Sequence, residues 1–349
     1  MKPILCIVLA VLPLIAEGSK GDTIDFSTMT SPILFRGDAR TAFRDPAVLY
    51  HDGVFHLYCT KVAVEANNEV FSYTIQSRSK DLKNWTKPEI ITPRDQNLNY
   101  SSPGNVVFYE GNWMLCLQTY PRPGLIWKPE GRPTMGNNQA RLFVMKSTDL
   151  YRWSEPELLR VLGPDIAQEE MGRMIDPYLI EDRHEPGKWW CFFKSRGEIM
   201  YSQSSDLVHW TYQGKAAAGE NPCVILYNNG YRLYYSPDNG IRCKTSGNLL
   251  NWEEEGKPIY LGQEQWPWAQ GRLTAGFVLD LKNEPKVGKY LMFFHGSRGP
   301  KRGETTMNFD IDSHIGLAWS DDLESWHWAE GDSFSPFEGG QGDVNICLR

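Results

Sequence analysis

The chain is 349 residues long and carries 36 Lys+Arg against 43 Asp+Glu, a formal net charge of −7. That mildly acidic balance, without a run of Lys or Arg, argues against a nucleic-acid or anionic-membrane partner. A composition of 41% hydrophobic and 23% charged residues excludes a disordered chain. The 13 Trp, 16 Tyr and 15 Phe beside 31 Gly and 22 Pro predict an all-β chain of strands joined by tight turns.

The N-terminus reads as a signal peptide over residues 1–18. Lys2 precedes an apolar run from Ile4 to Ile15, and Ala16-Glu17-Gly18 supplies small residues at the cleavage spacing. The run is shorter than the roughly 20 residues that span a bilayer. The mature chain is therefore expected to be secreted or periplasmic, with no membrane attachment after cleavage. Cleavage leaves Cys59, Cys116, Cys191, Cys223, Cys243 and Cys347. The first three sit in apolar strand-like runs and read as buried thiols. Cys223 and Cys243 flank two consecutive strand patterns and are candidates for a bridge in an oxidising compartment. No CxxC pair or His/Cys zinc spacing occurs, and Asn84-Trp85-Thr86 and Asn99-Tyr100-Ser101 are glycosylation sequons.

An internal repeat sets the architecture. Ser79-Lys-Asp81-Leu82-Lys-Asn-Trp85 returns as Ser147-Thr-Asp149-Leu150-Tyr-Arg-Trp153 and Ser204-Ser-Asp206-Leu207-Val-His-Trp210. It recurs as Ser246-Gly-Asn248-Leu249-Leu-Asn-Trp252 and Ser320-Asp-Asp322-Leu323-Glu-Ser-Trp326. Upstream of each copy lies a strand, a short Gly/Asn/Asp turn and an aromatic-rich strand, as in Ala47–Tyr58 with Asp52-Gly53 at the turn, a hairpin signal. Five such units predict a single-domain five-bladed β-propeller over residues 25–345. The five repeat tryptophans are read as packing between blades.

The chemistry is expected where each blade begins. Blade one opens Arg44-Asp45-Pro46, blade three Ile175-Asp176-Pro177 and blade four Glu220-Asn221-Pro222. Blade two opens Ser102-Pro103 without an acid, and blade five opens Thr274-Ala275-Gly276 with neither acid nor proline. Proline donates no ladder hydrogen bond and suits strand starts and unpaired inner edges. It should also hold the residue before it extended. The units thus read as equivalent points at one mouth of the central channel, where Asp45, Asp176 and Glu220 converge. Carboxylates facing each other in a partly desolvated funnel divide into acid and base roles. Glycoside hydrolysis needs one protonated carboxyl for the leaving oxygen and one carboxylate to activate water.

The propeller repeat, the Arg44-Asp45-Pro46 unit, the Asp176-Pro177-Tyr178-Leu179-Ile180-Glu181-Asp182 run and Glu220 resemble glycoside hydrolase family 43, over roughly residues 30–330. That family holds arabinofuranosidases, arabinanases and xylosidases and is inverting. The resemblance implies Asp45 as general base, Asp176 as the residue that raises the acid's pKa and orients substrate, and Glu220 as general acid. Here Glu220-Asn221-Pro222 stands where the family has Glu-Gly-Pro. The five-bladed family 117, which acts on anhydrogalactose units, is similar in outline, and there a blade-five histidine can serve as acid. His295 is the matching candidate, or else a channel residue that binds water or a cation. The resemblance requires no cofactor for the chemistry and adds only a calcium ion or a water in the channel; no acidic calcium-loop spacing is present.

Arg44, Arg173 and Arg272 recur beside blade starts as forked donors for sugar hydroxyls or a substrate carboxylate. Trp127, Trp266 and Trp268 lie outside the repeat and are candidates for stacking on sugar faces. The expected substrate is an oligo- or polysaccharide attacked from its ends. A non-catalytic carbohydrate-binding propeller is the competing reading. A retaining fructan-type hydrolase also uses Arg-Asp-Pro, but its Asn-Asp-Pro-Asn-Gly motif is missing before blade one.

Overall fold

A computed structural model describes residues 23–127, 139–237, 239–298 and 312–331. The signal-peptide segment, Cys6, Cys347 and the C-terminal end of the expected domain lie outside the described residues. The described chain folds into a five-bladed β-propeller. Its one helical element is the 3-10 turn Phe26–Thr28.

Blade one runs from the channel outward as Thr41–His51, Val54–Val64, Val70–Ser79 and Glu89–Ile90. Blade two has an interrupted inner strand, Tyr100–Ser101 then Val106–Tyr109, followed by Asn112–Thr119, Leu142–Ser147 and Glu157–Leu158. Blade three is Ile175–Glu181, Trp189–Ser195, Glu198–Ser204 and Thr211–Ala218. Blade four is Glu220–Tyr227, Gly230–Ser236, Ile241–Ser246 and Glu253–Ile259. Blade five is Arg272–Leu281, Lys289–Ser297 and Ser313–Ser320, and its outer edge takes Trp326–His327 and the N-terminal strand Ile33–Phe35. The pairing of Ile33–Phe35 with Ser313–Ser320 closes the ring and covers an edge that would otherwise be open.

Local chemistry explains the hairpins. Asp52 and Gly53 have φ of 49° and 77°, the mirror-image turn that matches strand twist. In blade two the turn pair is Glu110-Gly111, at 46° and 80°, and Asn112 already belongs to the next strand.

The Ser-x-Asp-Leu-x-x-Trp element is a self-satisfied turn. Ser79 Oγ accepts from the N–H groups of Asp81 (3.2 Å) and Leu82 (2.9 Å). Asp81 Oδ1 accepts from Lys83 and Asn84, and Trp85 Nε1 donates to the Leu82 carbonyl. In all five copies the leucine is left-handed, with φ between 59° and 68°. The conformation costs a branched residue about 1–2 kcal/mol, offset by burial, since Leu82 and Leu249 are wholly inaccessible. The tryptophans wedge between blades: Trp153 meets Tyr58 of blade one edge-on, and Trp252 meets Phe192 of blade three.

Two expectations fail here. Cys223 and Cys243 are free thiols, as are Cys59, Cys116 and Cys191. Both face Tyr234 from opposite sides of one strand, so two interstrand spacings of about 4.8 Å separate them, beyond disulfide reach. Asn99 is 1% exposed and its Oδ1 accepts from Ser72 N–H, so that sequon is closed to a glycan, whereas Asn84 is exposed.

Replacing Ser79 by alanine would strand the buried Leu82 N–H and should cost about 1–3 kcal/mol, read as a shift of the urea midpoint. An unchanged midpoint would show that the turn holds without its serine.

Candidate active site

The site is built on a defect repeated in every inner strand. Pairing skips between Arg44 and Ala47, between Ile175 and Tyr178, between Glu220 and Cys223, and between Thr274 and Phe277. Two residues bulge opposite one on the partner strand, which bends the strand and re-aims side chains. The first residue of each bulge is left-handed: Asp45 (φ 51°), Asp176 (55°), Asn221 (54°) and Ala275 (55°), with Ser102 (39°) in the gap of blade two. Four of these precede proline, where an extended backbone was expected. The bulge sets φ instead, and the steric rule for residues before proline bears on the right-handed helical region. Asp, Asn and Ser accommodate this conformation better than branched residues. Together with the residues that follow them, all five line the channel mouth.

This register corrects one equivalence. Asn221, not Glu220, matches Asp45 and Asp176. Glu220 sits one residue upstream, at the position of Arg44, Ile175 and Thr274. All three carboxylates nevertheless line one pocket.

Each acid is held by groups from neighbouring blades. Asp45 is 8% exposed, and its Oδ2 accepts from the hydroxyls of Thr60 (3.1 Å) and Ser102 (2.9 Å). Asp176 is 7% exposed, and its Oδ2 accepts only weakly from Asn221 N–H at 3.3 Å. Glu220 pairs with Lys194 of blade three and Arg272 of blade five. Burial above all, and then the Glu220 charge, push the Asp176 carboxyl up to about 7; Lys194 opposes them and Asp45 adds to them. The sequence reading placed the stored proton on Glu220 with Asp176 ionised beside it. The structure puts two cations on Glu220 and the raised carboxyl at Asp176.

His295 is 1% exposed and lies behind Asp45. Its Nδ1 accepts the Asp45 N–H at 3.0 Å. The same nitrogen is 3.4 Å from Asp45 Oδ1, but it cannot both accept and donate, and the shorter N–H contact decides. Burial, with Arg44 and Arg272 nearby, holds the ring well below its ordinary pKa, so it is neutral. The proton must then sit on Nε2, which is buried and has no partner among the described residues. A donor nitrogen suits a water oxygen and cannot ligate a cation. Among the described residues no group of three His, Cys, Asp or Glu side chains is arranged to hold a metal. His295 is absent from the pocket lining, and its contact is with the Asp45 backbone N–H.

Arg44, Arg173 and Arg272 do meet in the pocket. Trp266 and Trp268 do not. They are 5% and 6% exposed, stacked on each other and on Phe294, and form core packing rather than a sugar platform. Trp127 is half-buried against Val62, Val64 and Val70, outside the lining. The lining adds Thr60, Gln118, Tyr120, Arg122 and Lys194, none of which the sequence singled out.

Residues 43–227 match the family described as the glycosyl hydrolases family 32 N-terminal domain. No curated protein matches the chain. Among solved structures, a thermostable family-43 glycoside hydrolase is 14% identical with a TM-score of 0.57, covering 89% of this chain and 99% of that one. An exo-1,5-α-L-arabinanase from a bovine ruminal metagenomic library is 15% identical with a TM-score of 0.55, covering 84% and 99%. The catalytic domain of a Coprinopsis cinerea GH62 α-L-arabinofuranosidase is 15% identical with a TM-score of 0.57, covering 84% and 97%. At these identities the likeness is one of fold.

The raised Asp176 carboxyl has a consequence for stability. Its folded value near 7 lies above the unfolded one of about 3.9. Between those values the folded protein keeps a proton that the unfolded chain has lost, so stability falls as pH rises through that window. Asp176→Asn removes this cost. The variant should melt above the wild type at pH 8 and close to it at pH 4, and an equal offset at both would exclude the raised carboxyl.

Proposed function

The chain belongs to the family of glycosyl hydrolases family 32 N-terminal domains and is a glycoside hydrolase, and from that premise we propose that it is a secreted inverting enzyme that removes sugars from the ends of plant or algal polysaccharide fragments. The observation that carries the reading is three carboxylates around one pocket with unequal electrostatic surroundings. Secretion rests on the N-terminal charge and apolar pattern. The arabinanase and arabinofuranosidase neighbours make pentosides the first substrates to try.

In this mechanism Asp45, oriented by the Thr60 and Ser102 hydroxyls, activates the attacking water. Glu220 protonates the leaving oxygen. In the free enzyme the proton is kept on Asp176, whose carboxyl is raised by burial and by the Glu220 charge, while Lys194 and Arg272 pair with Glu220. A sugar that engages those two cations takes them from Glu220 and lets the proton pass to it. No cofactor is required for these steps.

Leaving-group dependence tests the assignment. Dinitrophenyl glycosides need little protonation of the leaving oxygen, so Glu220→Gln should recover most of its activity on them. Asp45→Asn should stay at least ~1000-fold down on every substrate, since water activation is still required. Rescue of His295→Ala instead would make histidine the acid. The first-formed anomer, followed by NMR, should be inverted, with the Asp45 and Glu220 carboxyls about 6.5–9.5 Å apart in a sugar complex. Retained configuration would make Asp45 a nucleophile, as in the fructan-type hydrolases.

A further inference from the structure

One side chain of the pocket departs from the pattern that its position obeys in every other blade. Opposite the last paired residue before each skip in pairing, the second strand carries Thr60, Gln118, Ser236 or His295. Each of these accepts the N–H that follows the skip in the next blade. Blade three has Lys194 there, opposite Ile175, and the Asn221 N–H goes to Asp176 Oδ2 instead. Lys194 is thus released from the structural duty of its position. It is half-buried, lines the pocket with all three acids, and donates to Glu220 Oε2. An ammonium group carries three N–H donors. Among the described residues Glu220 is the one acceptor within hydrogen-bond distance of Lys194 Nζ. Two donors are left for whatever fills the pocket.

Glu220 fixes where that partner lies. Its Oε1 pairs with Arg272 and its Oε2 with Lys194. The acid must come within hydrogen-bond reach of the glycosidic oxygen to protonate it. An ammonium group bonded to the same carboxyl then lies near the sugar hydroxyl on the carbon beside the anomeric centre, the neighbour of the glycosidic oxygen. Hydrogen bonds to that hydroxyl strengthen in the transition state.

We propose that Lys194 is a substrate-binding residue that donates to the sugar hydroxyl beside the anomeric carbon and gives up Glu220 as it does so. The inference rests on the glycosidase reading above and adds the residue that couples sugar recognition to release of the acid. A serine or glutamine here would satisfy Asn221 as Ser236 and Gln118 satisfy their partners, but would bring no cation to the sugar. A charged donor forms hydrogen bonds about twice as strong as a neutral one.

Dinitrophenyl glycosides suit the test because they need little protonation of the leaving oxygen, so a disturbed Glu220 costs them little. The full-length protein would be screened on the arabinofuranoside, the xyloside and the galactoside. The substrate it cleaves is then paired with a counterpart carrying fluorine in place of the neighbouring hydroxyl. Fluorine slows wild type and variant alike, so the ratio of the two losses isolates the contact. Lys194→Gln should lower kcat/KM at least ~10-fold on the hydroxyl substrate, with kcat falling in step, and less than ~3-fold on the fluoro substrate. Its melting temperature should stay close to that of the wild type, because glutamine already serves this position in blade two. Equal losses on both substrates, or none on either, overturn the inference and leave the glycosidase reading standing. Lys194→Met is read in its place if Lys194→Gln does not fold, and unfolding of both makes the lysine structural and overturns the inference too. A wild type that cleaves none of the three glycosides defeats the glycosidase reading and the inference with it.

Discussion

Each blade hands the N–H of its bulge residue to a side chain of the blade before it, and the channel mouth is organised by that ring of bonds. A bulged N–H has no ladder partner, and a buried one must be satisfied somewhere. Ser102 donates to Thr60 Oγ1 (2.7 Å), Asp176 to Gln118 Oε1 (2.6 Å), Ala275 to Ser236 Oγ (3.0 Å) and Asp45 to His295 Nδ1 (3.0 Å). These acceptors occupy one register position, opposite the last paired residue before each bulge. The role of His295 follows: it is the fifth-blade member of a set that includes a threonine, a glutamine and a serine. An imidazole suits the post because its Nδ1 can accept while neutral.

The position in blade three is Lys194, opposite Ile175. An ammonium group cannot accept, so the Asn221 N–H turns to Asp176 Oδ2 instead. That one departure from the ring shapes the electrostatics of the site. It places a cation at Glu220 from the blade-three side, while Arg272 closes on it from blade five. It also leaves the Asp176 carboxylate with a long backbone contact, in a place where burial already disfavours its charge. The two acids stand at the mouths of adjacent blades, yet Glu220 carries both ion pairs and Asp176 the carboxyl that burial raises.

How much of this was legible depends on the range of the interaction concerned. The Ser-x-Asp-Leu-x-x-Trp turn satisfies itself within seven residues, so its five copies disclose the blade number directly. The x-Pro units locate the channel mouth for a similar reason, since a proline inside a strand must fall at a bulge or an edge. Glu220 was misaligned by one residue because the skip in pairing is a property of two strands, and a one-residue frame is invisible in either alone. The second-strand ring was invisible altogether: Thr60, Gln118, Lys194, Ser236 and His295 share a register position and no chemistry a sequence would group. Trp266 and Trp268 looked like a loop platform because their partners are absences of side chain. A Cβ on Gly262 would fall 2.2 Å from Trp266, and one on Gly296 would fall 2.8 Å from Trp268. The indoles fill space that those glycines leave, and Phe294 completes the stack.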